Sequence, residues 1–561
     1  MKNRSRIFRI YVLIIIATSL SFNSCNDFLD QQPISSLSPD VYWQSKEDAD
    51  NWIAGIYNQM QRTLQNNWFD WGEYRSDNVR SVGTGTAQTI MLNNQLSSTN
   101  QNSATSWVEL YTTISLCNFG IKYLPDMIDR NIDGSSSVYR EYIGQCYAMR
   151  ALMYFYVLRV WGRAPLITET IEGLNQQTEY PRSSIAQVRE RIITDAETSL
   201  ETISDITSDP AKKFYLSKTA VYALLTDVYA WFQEYDKVIE SSDALMMNAN
   251  IKWIATPDDW KTLFTNPADP KATENIFVMY WNSLEYNGGM GYASRLGSSS
   301  NTSNVGIKPA IFQRLWERYN PGDLGKSDAR WWFCFDTVQY KSAEGYDTGG
   351  EAGSNANAVK FGKCVPWDPT APSGPDGVLG NLGAFIYEAT NVCNTNMPIY
   401  RYADVMTLRA EALAMTGKYN EALEILRKVR SRVGYTPEEA DDPTNFMAYY
   451  DGFAGKGEKL QEAILDERQL EFLAEGKRWF DLCRAGRTVF TKPYYDESGA
   501  KPYKIPDTGY YEYLKLKMNN STTGFVNFEG DNMGRIFFPI VSGAFTANSQ
   551  LRGDQNPPYD E

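Results

Sequence analysis

Three stretches of the chain repeat apolar residues at helical spacing, and each is closed by residues that stop a helix. Gln145 to Trp161 (QCYAMRALMYFYVLRVW) is almost wholly apolar except at Gln145, Arg150 and Arg159, the pattern of a helix packed on most sides. Gly162 and Pro165 end it. Thr219 to Phe232 (TAVYALLTDVYAWF) repeats the pattern; Gln233-Glu234-Tyr235 then turns the chain into a second run, Asp236 to Met247, so a helical hairpin is predicted. Ala403 to Arg432 predicts another hairpin of the same kind. From residue 250 to 395 the helical period is lost. Gly288-Gly289, the polar run Gly297 to Asn304, Gly349-Gly350 and Pro369 to Gly383 predict loops with short strands. Aromatics are dense there, among them Trp253, Trp260, Tyr280, Trp281, Tyr286, Tyr292, Trp316, Trp331, Trp332 and Trp367.

Within the hairpin from Ala403 to Arg432, Gly417-Lys418-Tyr419-Asn420-Glu421-Ala422 has a G-x-Y-x-x-A spacing similar to a tetratricopeptide repeat. Glycine ends the first helix, the tyrosine packs between the pair, and the alanine lets the second helix approach. Tyr235 and Val238 echo the offsets without the glycine. The fold class expected is mainly α. Tetratricopeptide-like hairpins form a scaffold over about 25–250 and 396–561, and 250–395 forms a loop-rich, aromatic-rich insertion lobe with short strands. A rigid platform presenting such a lobe suits binding.

The start of the chain changes where this domain lives. Lys2, Arg4, Arg6 and Arg9 precede a short apolar stretch, Ile10 to Leu20, as in a secretion signal. The stretch falls well below the roughly 18–20 residues that span hydrocarbon. Phe22-Asn23-Ser24-Cys25 puts a small residue before a cysteine, as lipoprotein processing requires. Residues 1–24 are therefore read as a lipoprotein signal peptide and 25–561 as the mature domain. Acyl chains on the Cys25 thiol, at about 0.8 kcal/mol per buried methylene, would hold the protein on membrane lipid.

Composition then removes whole classes of function. The chain has no histidine, which excludes Ser-His-Asp and Cys-His nucleophile activation and H-E-x-x-H zinc chemistry. Carboxylate chemistry, such as a glycosidase pair, survives. The net charge of -14 and the lack of a basic cluster after residue 9 argue against nucleic acid as a partner. Cys117, Cys146, Cys334, Cys364, Cys393 and Cys483 contain no C-x-x-C pair, so metal binding by cysteine is not expected. Cys117, Cys146 and Cys483 fall in apolar helical stretches and read as free buried thiols. No cofactor is expected; a structural calcium ion at the Asp- and Asn-rich loops is not derivable from the sequence.

Several motifs, in order, resemble the SusD/RagB family, the surface nutrient-capture lipoproteins of Bacteroidetes. They are Cys25 to Asp30 (CNDFLD) with Pro33, Trp107 to Leu124 (WVELYTTISLCNFGIKYL), Gln145 to Leu166, Pro181-Arg182-Ser183-Ser184 and Glu274-Asn275-Ile276-Phe277. Further on come Pro398 to Gly417, Val429 to Gly434 and Ile464 to Arg484 (ILDERQLEFLAEGKRWFDLCR). Phe538-Pro539-Ile540 with Gln555-Asn556-Pro557 closes the chain. Lys477 stands where the family often has histidine. In the Ile464–Arg484 stretch, Glu467, Arg468, Glu471, Glu475 and Arg478 read as partly buried ion pairs that pin the C-terminal helices, with Glu471 and Glu475 one helical turn apart, in preference to acid-base catalysts.

The resemblance implies a non-enzymatic surface protein that captures oligosaccharides or polysaccharide fragments. It would pass them to a SusC-like TonB-dependent transporter, anchored in the outer membrane, facing outward, through acylated Cys25. Peptide capture, as in the RagB branch, is the alternative; a carboxylate-based glycoside hydrolase and a ligand-free helical scaffold are remoter ones. Expected glycan contacts come from two regions. One is Trp68, Trp71, Asp77, Asn78 and Arg80, where polar groups adjoin indoles. The other is Trp281, Tyr286 and Tyr292, where glycines let aromatics project. Trp331 and Trp332, beside Asp328 and Arg330, read as core.

Overall fold

The apolar runs do fold as helices, and the polar residues that interrupt them become the clamps between helices. The computed structural model describes residues 42–561 apart from 66, 82–85, 101–103, 174, 267, 282–304, 319–326, 337–340, 343–344, 347–359, 366, 369–383, 386–396, 436–455, 485–516, 519–525, 529 and 561. Cys25 and the signal segment, Tyr286, Tyr292 and Cys393 lie outside the described residues.

Helices α1 (Lys46–Leu64), α2 (Asn67–Gly72), α3 (Val108–Asp129), α4 (Ser136–Trp161) and α5 (Ile185–Leu200) form the first part of the scaffold. Next come the hairpin α6 (Lys218–Trp231) and α7 (Tyr235–Met246), then α8 (Pro257–Thr265), α9 (Pro309–Glu317) and α10 (Ala329–Cys334). The second hairpin is α11 (Tyr402–Met415) with α12 (Tyr419–Ser431), followed by α13 (Lys456–Glu471) and α14 (Arg478–Arg484). Ser45, Ser184 and Thr256 start α1, α5 and α8 with reciprocal capping boxes. Gly162, at φ 75°, closes α4 where an L side chain would be strained.

The exceptions in the apolar run of α4 each have a tertiary partner. Gln145 accepts a hydrogen bond from the Tyr57 hydroxyl at 2.9 Å. Arg150 grips Asp195 of α5 at 2.7 Å, and Arg159 reaches Asp227 of α6 at 3.0 Å, both pairs buried. The two hairpins, distant in sequence, stack in space. Arg409 of α11 donates to the Ile239 carbonyl at 3.0 Å and to the Ser242 hydroxyl at 2.8 Å, both on α7.

Strand β1 (Val79–Ser81) pairs antiparallel with β3 (Val305–Ile307), and β2 (Asn275–Met279) pairs antiparallel with β4 (Met397–Arg401) across an irregularity near Tyr400. The remaining strands among the described residues are two-residue pairs. The described part of 250–395 is built into the core: Trp260, Ile276, Phe277 and Trp331 are fully buried. Among the described residues no helix is long and apolar enough to cross a membrane. Cys117, Cys146, Cys334, Cys364 and Cys483 are buried free thiols, and burial pushes Cys146 and Cys334 up to about 12.

Two features differ from the sequence reading. Helices α8, α9 and α10 lie within 250–395, where loops with short strands were expected. The stretch from Ile464 to Arg484 is two helices, since α13 ends at Glu471 and α14 begins at Arg478. Ala474 and Gly476 between them sit at φ 61° and 65°, which breaks the helix and puts Glu475 in the turn. Gly476 has a packing reason as well, because a Cβ there would lie 2.8 Å from the Trp68 carbonyl oxygen.

Candidate ligand-binding site

Segment 67–80, where most of the expected glycan contacts lie, is clasped against the turn between α13 and α14. Trp68 and Trp71 are 2% and 1% exposed and face the core. Trp71 donates its indole N–H to the Ala104 carbonyl at 2.7 Å and packs on Tyr156 and Trp161 with ring centroids 5.8 and 5.7 Å apart. Both oxygens of Asp77 are taken by the Arg478 guanidinium at 2.7 and 2.8 Å, and Gln469 donates to Asp77 and to Asn78 at 2.9 Å. Asn78 is fully buried and donates to Glu73 at 2.6 Å.

The structure therefore corrects the placement of Trp68, Trp71, Asp77 and Asn78. It brings them together, but as an internal clasp with no ring face or amide open to solvent. Trp281 is 2% exposed and is corrected in the same way. Arg80, on β1 opposite Gly306, is the one described member of the set that keeps partial exposure. Burial removes the large apolar faces of these indoles from water.

Glu73 shows how dry the clasp is. Its Oε1 accepts from Asn78 and from the Ala474 N–H, while its Oε2 is buried without a hydrogen-bond partner. Burial raises its carboxyl from 4.5 to about 7, outweighing the hydrogen bonds and Lys363 that pull the other way. The folded state thus holds a proton that the unfolded chain releases, so this group's cost to stability grows as pH rises from 4.5 to about 7. Glu73→Gln should stabilise the protein by about 1–3 kcal/mol at pH 8 and by almost nothing below pH ~4.5, read by urea unfolding at both pH values.

The glutamates and arginines of the Ile464–Arg484 stretch form the ion pairs expected of them, and their side chains are fully buried where partial burial was expected. Glu471 accepts from Arg401 and Arg432 at 2.6 Å and from Arg330 at 3.0 Å. Glu467 meets Arg330 at 2.7 Å and Arg430 at 2.9 Å, and Glu475 meets Lys363 at 2.5 Å and Arg401 at 2.7 Å. Arg468 ties Asp404 and Asp481, each at 2.9 Å. Lys477 donates to the Ile399 carbonyl at 2.7 Å and pairs with Asp404 at 2.8 Å, a structural part. Trp331 is fully buried, and Trp332 is half-buried against Phe333. The partners Glu274, which meets Arg432 at 2.7 Å, Lys363, Arg401 and Arg432 come from scattered positions; the motifs Glu274 to Phe277, Pro398 to Gly417 and Val429 to Gly434 held three of them without showing that they meet.

The described residues include two surface concavities. One, of about 670 Å³, lies between the start of α3, residues 165–171 and the C-terminal segment 541–551. It is mostly apolar, with Val108 and Ile171 60% and 38% exposed. The other, of about 520 Å³, is polar and aromatic and lies between α1, the start of α4 and residues 204–217. Among the described residues no group of three or more carboxylate or thiol side chains is placed to hold a metal.

Among the described residues the helical hairpins come with two-stranded pairings and no closed sheet, a mainly α-helical fold, and comparison with known proteins agrees. Residues 27–230 match a family model described as "Starch-binding associating with outer membrane", and residues 385–559 match the SusD family. The chain belongs to the SusD/RagB family. A SusD-like protein P38 of Formosa agariphila is 26% identical over 488 residues, 85% of this chain and 91% of that one. A SusD homolog from Bacteroides thetaiotaomicron superposes with TM-score 0.66 at 20% identity, covering 93% of this chain and 98% of the other. A laminarin-binding SusD-like protein superposes with TM-score 0.65 at 19% identity, covering 92% and 100%.

Proposed function

We propose that this protein captures neutral glycan chains at the bacterial outer membrane and hands them to a partner SusC-like TonB-dependent transporter, held at the outer face by lipid on Cys25. The observation that carries the reading is the match of residues 27–230 to a starch-binding, outer-membrane-associated family. A laminarin-binding neighbour of the same fold is consistent with it. The protein acts by binding and not by hydrolysis. A glycosidase acid must reach solvent with a raised carboxyl, whereas Glu467 and Glu471 are fully buried and held well below the usual range by guanidinium groups that outweigh burial. Tyr286 and Tyr292, with Arg80, are the proposed ligand contacts.

The test is a titration of the mature chain against plant, host and microbial polysaccharides, with reducing ends followed over time. Saturable binding with no new reducing ends is expected. Tyr286→Ala and Tyr292→Ala should each weaken affinity roughly two- to tenfold, the worth of one aromatic stacking contact. Binding that peptides displace and sugars do not would overturn glycan capture in favour of peptide capture.

A further inference from the structure

The polar concavity beside α1 has a feature the buried clasp lacks: an aromatic face held rigidly in the open. Tyr215 is 46% exposed. Its backbone is extended, at φ -122° and ψ 153°, between Phe214 and Leu216. Those neighbours are anchored. Leu216 is buried, and Phe214 packs on Tyr280 at 4.7 Å. The ring itself is braced edge-on by Tyr57 at 5.2 Å and 80°. Tyr57 is fixed in turn, because its hydroxyl accepts from the Leu216 N–H and donates to Gln145, each at 2.9 Å. An exposed phenol already packed against a fixed ring loses less freedom when a ligand stacks on it.

Around this platform stand side chains with planar acceptors already oriented. Tyr142 donates to Asp50 at 2.8 Å, and Lys46 holds the same carboxylate. Glu141 accepts from the Ser204 N–H at 2.7 Å and its hydroxyl at 2.9 Å. One oxygen of Asp205 accepts from Thr219 and from the Ile206 N–H. Each carboxylate, with about four acceptor sites, keeps capacity for further donors. Lys212, exposed at the rim, supplies a donor. The carboxylates disfavour an anionic ligand, and their protein donors leave no bare cluster for a metal. A flat aromatic face beside acceptors and amides matches a neutral pyranose, whose C–H face is apolar and whose hydroxyls donate. The volume, about 520 Å³, lies within the range of small-ligand sites, roughly 300–1,000 Å³.

We propose that this pocket is a second saccharide-contact point on the helical scaffold, taking one or two neutral sugar units of a captured chain, with Tyr215 as the stacking platform and Asp50, Glu141, Asp205 and Lys212 as hydroxyl partners. It rests on glycan capture as the function. Phe214 packs on Tyr280, so the platform borders the end of strand β2 (Asn275–Met279). Two contacts on one ligand raise avidity without strengthening either contact.

The experiment reads the pocket locally. The mature chain is titrated calorimetrically with hexasaccharides of glucose, mannose, galactose and xylose. In parallel, lysine acetylation by N-hydroxysuccinimide acetate is followed residue by residue by mass spectrometry. The binding sugar should slow acetylation of Lys212 about threefold or more and leave exposed Lys252 unchanged. Tyr215→Ala, whose melting temperature should match that of the unaltered protein, should abolish that protection and weaken affinity roughly two- to tenfold, whereas Tyr215→Trp should retain both. Binding with Lys212 acetylated at its free rate overturns the pocket and leaves glycan capture standing. A chain that binds no member of the panel overturns glycan capture and this proposal with it.

Discussion

Glu471→Gln is expected to destabilise the protein by about 3–5 kcal/mol and to cut its soluble yield sharply, because it leaves three buried guanidinium groups short of their common anion. Glu471 is the meeting point of Arg330, Arg401 and Arg432, and it also accepts from the Trp260 indole at 3.2 Å. A glutamine there turns an N–H₂ donor toward cations that are themselves donors. Urea unfolding measures the loss, and Glu462→Gln on the same helix is the control. That residue pairs with Lys459 at the surface, with 45% of its side chain exposed, so its replacement should cost under about 0.5 kcal/mol. A loss below about 1 kcal/mol at Glu471 would contradict the cluster's role.

The same cluster sets an acid limit. Burial raises the Glu471 carboxyl, but Arg432, Arg401 and Arg330 outweigh it and hold the group well below its usual value; Glu467 is held down likewise by Arg318, Arg330 and Arg430. A depressed carboxylate contributes stability that is fully present above the unfolded value, about 4.3, and is lost as pH falls toward the folded one. The contribution of these groups should therefore be flat above pH ~5 and fall steeply below pH ~4, which melting temperatures across that range report.

Trp71→Ala is expected to cost about 3–5 kcal/mol by opening a cavity among Tyr156, Trp161 and the Ala104 carbonyl. Glycan affinity per folded molecule should stay unchanged, and Trp71→Phe should recover much of the lost stability. Urea unfolding and a titration of the folded fraction check the two halves. A variant that keeps full stability while losing glycan binding would return Trp71 to the ligand surface.

The difference between these residues and Tyr215 explains what was legible. Trp71 and Tyr215 both stand among apolar or aromatic neighbours, and composition does not separate them. Trp71 lies on α2, whose residues are all buried, while Tyr215 follows a short 3-10 helix, Pro210–Phe214, and stays 46% exposed. Local patterning read the helices, the hairpins at Tyr235 and Tyr419, and the structural character of Glu467 to Arg478. It read Trp68, Trp71, Asp77, Asn78 and Trp281 as ligand contacts because polar groups beside indoles look alike whether they face a sugar or a guanidinium.

The sequence by itself determined the helical scaffold, the absence of histidine-based chemistry and the family, since apolar period, composition and ordered motifs are properties of the chain alone. Tertiary structure alone decided which carboxylates meet which arginines, that the helix breaks between Glu471 and Arg478, and which aromatics face outward. Those outcomes depend on contacts such as Asp77 with Arg478 and Glu274 with Arg432, between residues 401 and 158 positions apart. Burial and pairing are set by what the fold brings alongside, and no local pattern carries that information.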